Sequence, residues 1–314
     1  MSRPAASLAR RQAALLPSAP GVYRFRDAHG RALYIGRAVD LRRRVLSYWG
    51  DAAEVRGLGR MVAAAARLEA LVCDSPHEAA WLERNLLERR RARWNRVLGG
   101  AEVPVWIAVS VDVRRPSVRV VHAHELSLGA AVFGPYLGGT RVRLAVSALH
   151  RAAPLAWTGT GITASERAMG ERLGVGPADR VALAQRVLAV LARDLAAVEA
   201  AQDVLLARQD AAVARLDYET AAAVRDELEA LAWVTAPQRA TLADPVDRDI
   251  AAWHDGLLVS LSIHAGHLDE WVVKPSGARA AMDRVALTPP EWRVFAERGA
   301  VLAARLAAAV VPLV

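Results

Sequence analysis

Residues 20–49 read PGVYRFRDAHGRALYIGRAVDLRRRVLSYW. Two runs that alternate apolar and polar residues, GVYRFR and ALYIGR, are joined by DAHG, whose glycine suits the positive backbone dihedral of a tight turn. The spacing therefore predicts a β-hairpin. Asp40 stands where a side chain can cap a helix running through LRRRVLSYW. Further on, LEALVCD alternates as a third strand, and a helical stretch is expected at 54–67. SPHEAAWLERNLLERRR then places Ser75 at a cap, Pro76 at the first helical position and Glu78 three residues past the cap, which marks a helix start. The first hundred residues thus read as α+β: a small three-stranded antiparallel sheet with flanking helices.

The chain of 314 residues is long enough for two or three domains, each with its own core. Its one cysteine, Cys73, excludes an internal disulfide and a thiolate-held zinc or iron–sulfur site. No apolar run reaches the roughly 18 residues of a membrane span, and the first residues lack the apolar core of a leader, so a cytoplasmic location is expected. The net charge is +8, but residues 1–100 alone carry 19 arginines against nine acidic residues, and the remainder is slightly acidic. A positive field concentrated in this way draws a polyanion such as DNA by releasing counterions from its phosphates. The chain contains a single lysine, Lys274, so a general preference for arginine is the plainer reading of any one of these positions.

Cutting a phosphodiester requires a positioned water, a group to take its proton, and positive charge where the phosphate becomes more negative. Tyr23 and Tyr34 fall on adjacent strands of the hairpin, where their hydroxyls can converge. Arg37 and Arg44 follow within ten positions, and Glu83 lies in a helix otherwise rich in arginine, a candidate ligand for one Mg2+ or Mn2+. Tyrosines and arginines are also ordinary on strands and surfaces. Residue type alone leaves both readings open.

The order and spacing of GVY, YIG, the following arginines and WLERNLLERRRARWN resemble the GIY-YIG nuclease domain, in the form found at the start of UvrC, the incision subunit of bacterial nucleotide-excision repair. By that resemblance Tyr23 and Tyr34 are the motif tyrosines, with Tyr34 the general base. Arg37 stands where the family usually carries lysine, Arg44 binds phosphate, Tyr48 is a further active-site tyrosine, Glu83 holds one Mg2+ or Mn2+, and Asn95 supports the site. DNA would be the substrate, gripped by Arg37, Arg42, Arg43 and Arg44. The sequence departs from the family by Val22 in the first motif, by Arg37, whose charge is preserved but whose geometry differs from lysine, and by Trp94 before the asparagine.

Downstream, VPVWIAVSVD, SVRVVHA and AAVFGPY read as strands, followed by an amphipathic helix near 140–151, and the FGPY stretch again resembles UvrC. The family's cysteine-rich stretch is replaced by AWTGTGITASERAMG, and the glycine-rich residues from Trp157 to Asp179 read as a loop and linker. Two helices are expected over 178–233 with a break near LDYE. Residues 203–231 resemble the UVR motif, the helical hairpin through which UvrC pairs with UvrB. Leu206, Val213, Leu216, Tyr218, Ala222 and Leu228 would form its apolar seam. The alternative is a helix pair packing only on its own domain.

The tail from 245 onward reads as antiparallel strands and a closing helix. Its Asp247, Asp249, Asp255, Asp269, His254, His264 and His267 fall in or beside turns, where such residues satisfy backbone groups rather than a metal. Four segments result: 15–98, the nuclease-like domain; 103–155, a β/α segment; 178–235, helical; and 245–314, a small β/α region without an assigned role. The resemblance covers 15–235 and implies an endonuclease that nicks one strand near a lesion, with neither the ribonuclease-H-like domain nor the helix-hairpin-helix repeats of a full UvrC. A nuclease acting without UvrA and UvrB, or a DNA-binding adaptor without turnover, are the rival readings.

Overall fold

The computed structural model describes residues 3–50, 58–89, 92–95, 103–122, 129–239 and 246–309. The chain divides into two compact units, one formed by Met1–Ala101 with Gln238–Val314, the other by Glu102–Pro237.

In the first unit the expected hairpin forms as β1 (Gly21–Arg26) and β2 (Ala32–Ala38), antiparallel, with Tyr23 opposite Gly36 and Phe25 opposite Tyr34. The Asp27 carboxylate accepts from the backbone N–H of His29 and of Arg31, both at 2.9 Å, and Gly30 turns the chain with φ 77°. β3 (Arg67–Val72) pairs with the other edge of β1, giving the order β2-β1-β3. The helices here are α1 (Arg3–Ala14), α2 (Leu41–Leu46), α3 (Gly59–Ala64) and α4 (Pro76–Arg89). Asp40 caps α2 by accepting from Arg43 N at 2.8 Å, and the Ser75 hydroxyl caps α4 by accepting from Glu78 N at 3.1 Å. The helix expected over 54–67 is shorter. It ends at Ala64, and Arg67 already pairs in β3, because the alternation of RLEALV serves a sheet better than a helix; residues 54–57 lie outside those described. Nothing in the sequence reading anticipated α1, which packs against α2, α3 and β3.

Strand alternation gives the sheet two different faces. Tyr23 and Phe25 share a core with Val45, Tyr48, Met61 and Leu68, while Val22, Arg24, Ile35 and Arg37 point the other way. Residues 238–314, whose role the sequence left unassigned, build into this same unit. They form a meander, β7 (Arg248–His254), β8 (Leu257–His264) and β9 (His267–Pro275), followed by the helices αC1 (Ala278–Ala286) and αC2 (Pro290–Ala308). Leu302 and Leu306 of αC2 enter the tyrosine-bearing core. Gln12 ties αC2 to β3, donating to Leu306 O and accepting from Leu68 N, both at 2.9 Å.

On the opposite face the buried Arg24 pairs with Glu69, donates to Trp271 O at 2.8 Å and lies 3.9 Å over the Trp271 ring. Arg26 and Arg67 reach the same carboxylate at 2.9 and 2.7 Å. Burial alone would raise the Glu69 carboxyl, but Arg24, then Arg26 and Arg67, hold it below the ordinary carboxylate range. At the start of α4, Asp74 pairs with both Arg239 and Arg298, and Glu78 accepts from Arg239 N at 2.7 Å.

The second unit centres on a sheet of order β5-β4-β6, with β4 (Val105–Ser110), β5 (Ser117–Val121) and β6 (Ala131–Tyr136). A helix over Gly139–Ala152 shares one core with the helices Arg180–Leu191, Leu195–Ala214 and Tyr218–Thr235. Three helices therefore stand where two were expected over 178–233. The additional break falls at Arg193, with φ 65°, after which Asp194 caps the next helix by accepting from Ala197 N at 2.9 Å. The break near LDYE lies where the sequence put it: Leu216 has φ 58° and Asp217 accepts from Thr220 N at 3.1 Å.

The loop and linker expected between Trp157 and Asp179 is instead ordered structure. It contains a helix over Ala164–Arg172 with a reciprocal capping box between Thr163 and Glu166. Its glycines permit close packing: a Cβ on Gly159 would lie 2.4 Å from Arg114 O, and one on Gly170 would lie 3.0 Å from Trp157 O. Among the described residues no helix is long and apolar enough to cross a membrane.

Replacing Glu69 by glutamine strands the buried Arg24 charge and is expected to lower stability near neutral pH by about 3 kcal/mol. Because the folded-state pKa of Glu69 is depressed, its contribution is present above the unfolded pKa and fades as pH falls through the folded one. Urea melts of wild type and Glu69→Gln should thus converge in acid; a constant gap would reject this linkage.

Candidate active site

The glycines of the two tyrosine motifs are set by contact distance. A Cβ on Gly36 would lie 2.5 Å from the Tyr23 hydroxyl and 2.8 Å from the Tyr34 ring, and a Cβ on Gly21 would lie 2.2 Å from Leu71 O. With no side chain at position 36, Tyr23 and Tyr34 close over it, and Tyr48 completes a cluster of three rings: centroids are 6.3 Å apart for Tyr23 and Tyr34, 5.8 Å for Tyr34 and Tyr48, and 6.1 Å for Tyr23 and Tyr48. The hydroxyls of Tyr23 and Tyr48 share a hydrogen bond of 2.7 Å. The Arg44 guanidinium lies 5.3 Å from the Tyr48 ring centroid, and its charge partly offsets the effect of burial on the Tyr23 hydroxyl. Burial raises the pKa of Tyr23 and of Tyr48 well above the ordinary phenol value, so both remain protonated. Tyr34 is only half-buried, unlike Tyr23 and Tyr48, so its ring is the one in the cluster that reaches solvent.

Arg37 and Glu83 form a second group, paired at 3.2 Å. Alternation along β2 puts Arg37 on the opposite face from Tyr34 and Gly36, so β2 runs between the tyrosine–Arg44 cluster and the Arg37–Glu83 pair. The expected residues are therefore brought together as two clusters flanking one strand. Asn95 braces that strand: its amide accepts from Ile35 N at 3.0 Å and donates to Ile35 O at 2.8 Å, while Trp94 N donates to Leu33 O at 2.9 Å. Arg42 and Arg43 are exposed on α2.

The donor set suits magnesium. Mg2+ keeps most of its waters and binds through one or two carboxylates together with substrate phosphates. Glu83 supplies one carboxylate, partly open to solvent, and the described residues contain no group of three or more His, Cys, Asp or Glu that would make a closed cage. In the tail, Asp247 accepts from Ala265 N at 3.0 Å and pairs with His264, and Asp249 accepts from Ser262 at 2.7 Å, which are turn and cross-strand roles.

Sequence reasoning missed Trp81 and Asn85, polar-capable residues buried on α4. Their partners lie more than 180 positions away, at 266–268, so no local pattern could flag them. In the second unit the helices Leu195–Ala214 and Tyr218–Thr235 make an antiparallel hairpin. Leu206, Val213, Leu216 and Tyr218 are exposed, Tyr218 by 66% and Leu216 by 70%, while Leu205, Ala212 and Val224 are buried on the other side. Ala222 is half-buried, and Leu228 packs against the unit's own core. Position 228 follows Val224 by one helical turn and precedes the buried Leu231, so it shares their inward stripe and not the exposed seam.

Gly36→Ala should force the Tyr23 hydroxyl or β2 to move, at an overpacking cost of about 1–3 kcal/mol. A lowered melting temperature and an altered near-UV tyrosine signal would register it; an unchanged signal would mean that the tyrosines do not depend on this contact.

Residues 19–96 match the family described as "UvrC-like GIY-YIG domain", and residues 203–232 match the "UvrB/uvrC motif". The chain is 32% identical over 255 residues to UvrABC system protein C of Pseudarthrobacter chlorophenolicus, covering 76% of this chain and 37% of that protein. It is 33% identical over 263 residues to UvrABC system protein C of Desulforudis audaxviator, covering 80% and 42% respectively. The chain thus spans about two fifths of the length of the curated relatives it matches. A solved structure, the GIY-YIG N-terminal endonuclease domain of UvrC from Thermotoga maritima bound to magnesium, its catalytic divalent cation, is 36% identical and covers 28% of this chain and 94% of that one, with a TM-score of 0.26. With a UvrC-like GIY-YIG domain and a UvrB/uvrC motif in one chain, in the order the sequence indicated, this is a partial UvrC-like protein.

Proposed function

We propose that this protein is a metal-dependent DNA endonuclease of nucleotide-excision repair, which nicks one strand near a lesion by hydrolysing a phosphodiester. The observation that carries the reading is the tyrosine cluster. Its two buried members are held protonated, and Tyr34, the member that reaches solvent, packs on the Tyr48 ring, which the Arg44 guanidinium also faces.

In this reading Tyr34 acts as its phenolate, and its Oη takes the proton of the attacking water to become the phenol. Tyr23, packed against Gly36, and Tyr48, hydrogen-bonded to it at 2.7 Å and facing the Arg44 guanidinium, fix the position of Tyr34 and of Arg44. Arg44, charged and partly desolvated, stabilises the negative charge that grows on the phosphate. Arg37, Arg42 and Arg43 hold the neighbouring phosphates. Glu83 would hold one Mg2+ or Mn2+, whose contribution when bound is to neutralise developing charge on the phosphate oxygens. A phosphate reaching Arg37 and a cation reaching Glu83 would each give one member of that pair a new partner. The arginine-rich first hundred residues provide the electrostatic attraction to DNA, and the expected place of work is the cytoplasm.

The exposed seam of the helical hairpin supports UvrB as the partner. Leu206, Val213, Leu216 and Tyr218 present apolar surface at the end and side of a hairpin whose other face is already buried.

Nicking of end-labelled damaged duplex, with and without Mg2+, tests the activity. Glu83→Gln should abolish nicking while DNA binding persists on the remaining arginines; wild-type rates in that variant would exclude Glu83 as the ligand. Arg44→Ala should lose about 2–4 kcal/mol of transition-state stabilisation. Tyr34→Phe keeps the ring and should slow nicking by about a hundredfold or more. If Tyr23→Phe proves the more damaging, the two roles exchange. Tyr218→Asp should weaken capture of the full chain by immobilised UvrB and leave nicking of substrates that need no loading intact; unchanged capture would favour a nuclease that works without UvrB.

A further inference from the structure

The helix that carries Glu83 is held from behind by the C-terminal region. Successive helical residues are about 100° apart, so Trp81 and Asn85, two positions to either side of Glu83, both point about 160° away from it. Both are buried. The Asn85 amide, in the orientation that satisfies every neighbour, donates to His267 Nδ1 and accepts from Leu268 N and Trp81 Nε1, each at 3.1 Å. Trp81 Nε1 also lies 3.2 Å from Gly266 O, and its ring stacks against His267 with centroids 5.3 Å apart. One turn on from Asn85, Arg89 pairs with Asp269 at 2.5 Å. All of these partners belong to the tight β8–β9 hairpin, where Ala265 and Gly266 have φ of 48° and 76°. Four residues past His267 on the same strand, Trp271 receives Arg24, the neighbour of Tyr23 on β1. One strand of the C-terminal region thus grips two of the elements that bear site residues, β1 and α4.

We infer that the β8–β9 hairpin is a positioning element of the incision site, with Asn85 as the positioning residue that fixes the rotation of α4 and therefore where the Glu83 carboxylate stands. This rests on the reading of Glu83 as metal ligand. Apolar packing alone would let a helix slide or roll by small amounts, whereas a buried amide with three directional partners has one satisfied arrangement. Groups behind a metal ligand change metal affinity by about ten- to a hundredfold when removed. The C-terminal region is accordingly part of the catalytic unit and not an appended domain.

The test uses the full chain and reads Mn2+ affinity by electron paramagnetic resonance titration, alongside the Mg2+ concentration for half-maximal nicking. Asn85→Leu should weaken Mn2+ binding about tenfold and raise the Mg2+ requirement by a similar factor, with DNA affinity unchanged. Trp81→Phe retains an aromatic ring beside His267 and removes the Nε1 donor with the part of the indole that carries it; it should shift both quantities the same way by less, and it decides the matter if Asn85→Leu fails to fold. Leu258→Ala, buried in the same sheet against Ala251 and Ala281, serves as a control that lowers melting temperature without touching α4. Wild-type Mn2+ affinity in the Asn85 or Trp81 variants, or an equal loss in Leu258→Ala, would overturn the inference. Glu83→Gln run in parallel separates the two claims: if it leaves Mn2+ binding intact, the assignment of the ligand itself has failed, and the positioning role falls with it.

Discussion

The buried Glu69 carboxylate is the constraint around which the first unit is organised. It sits on an inner position of β3 and meets Arg24 directly across from it on β1, with Arg26 and Arg67 completing its charge balance. A guanidinium as deeply buried as that of Arg24 would be costly alone; with Glu69 on one side and the Trp271 ring and carbonyl on the other, it is neutralised and fully engaged. The contact of Arg24 with Trp271 joins residues 247 positions apart. β1 therefore has a double duty: Tyr23 and Phe25 build the tyrosine core, and Arg24 between them fastens the strand to the C-terminal sheet.

Around that strand the chemistry divides by face. Tyr23 and Tyr34 lie over Gly36 with Tyr48 and Arg44 beyond them, and Arg37 with Glu83 lies across β2. The brace that Asn95 makes on Ile35 holds the strand between the two clusters.

The helical hairpin of the second unit solves a different problem with the same economy. Glu227, buried on its second helix, accepts from Ser147 and Arg151 at 2.7 Å each, which commits one face to the unit's own core. With that face taken, apolar residues at the other, Tyr218 and Leu216 foremost, remain exposed at the bend where Leu216 takes a positive φ.

The hairpin, the caps at Asp40 and Ser75, the LDYE bend and the spacing of Tyr23, Tyr34, Arg44 and Glu83 were legible in the sequence because each rests on neighbours within a few positions: alternation, a capping oxygen, a turn glycine. Where local pattern misled, it did so for a physical reason. The glycines at 159 and 170 read as flexibility but are sites of close backbone approach, and Leu228, apolar at helical spacing, was assigned to the exposed seam because sequence cannot say which stripe of a helix faces inward. What the tertiary structure alone decided is the company the site keeps. Asn85 with His267, Arg24 with Trp271 and Asp74 with Arg239 and Arg298 are contacts between segments separated by 160 residues or more, and a single chain carries no local trace of which distant strand will satisfy a buried polar group.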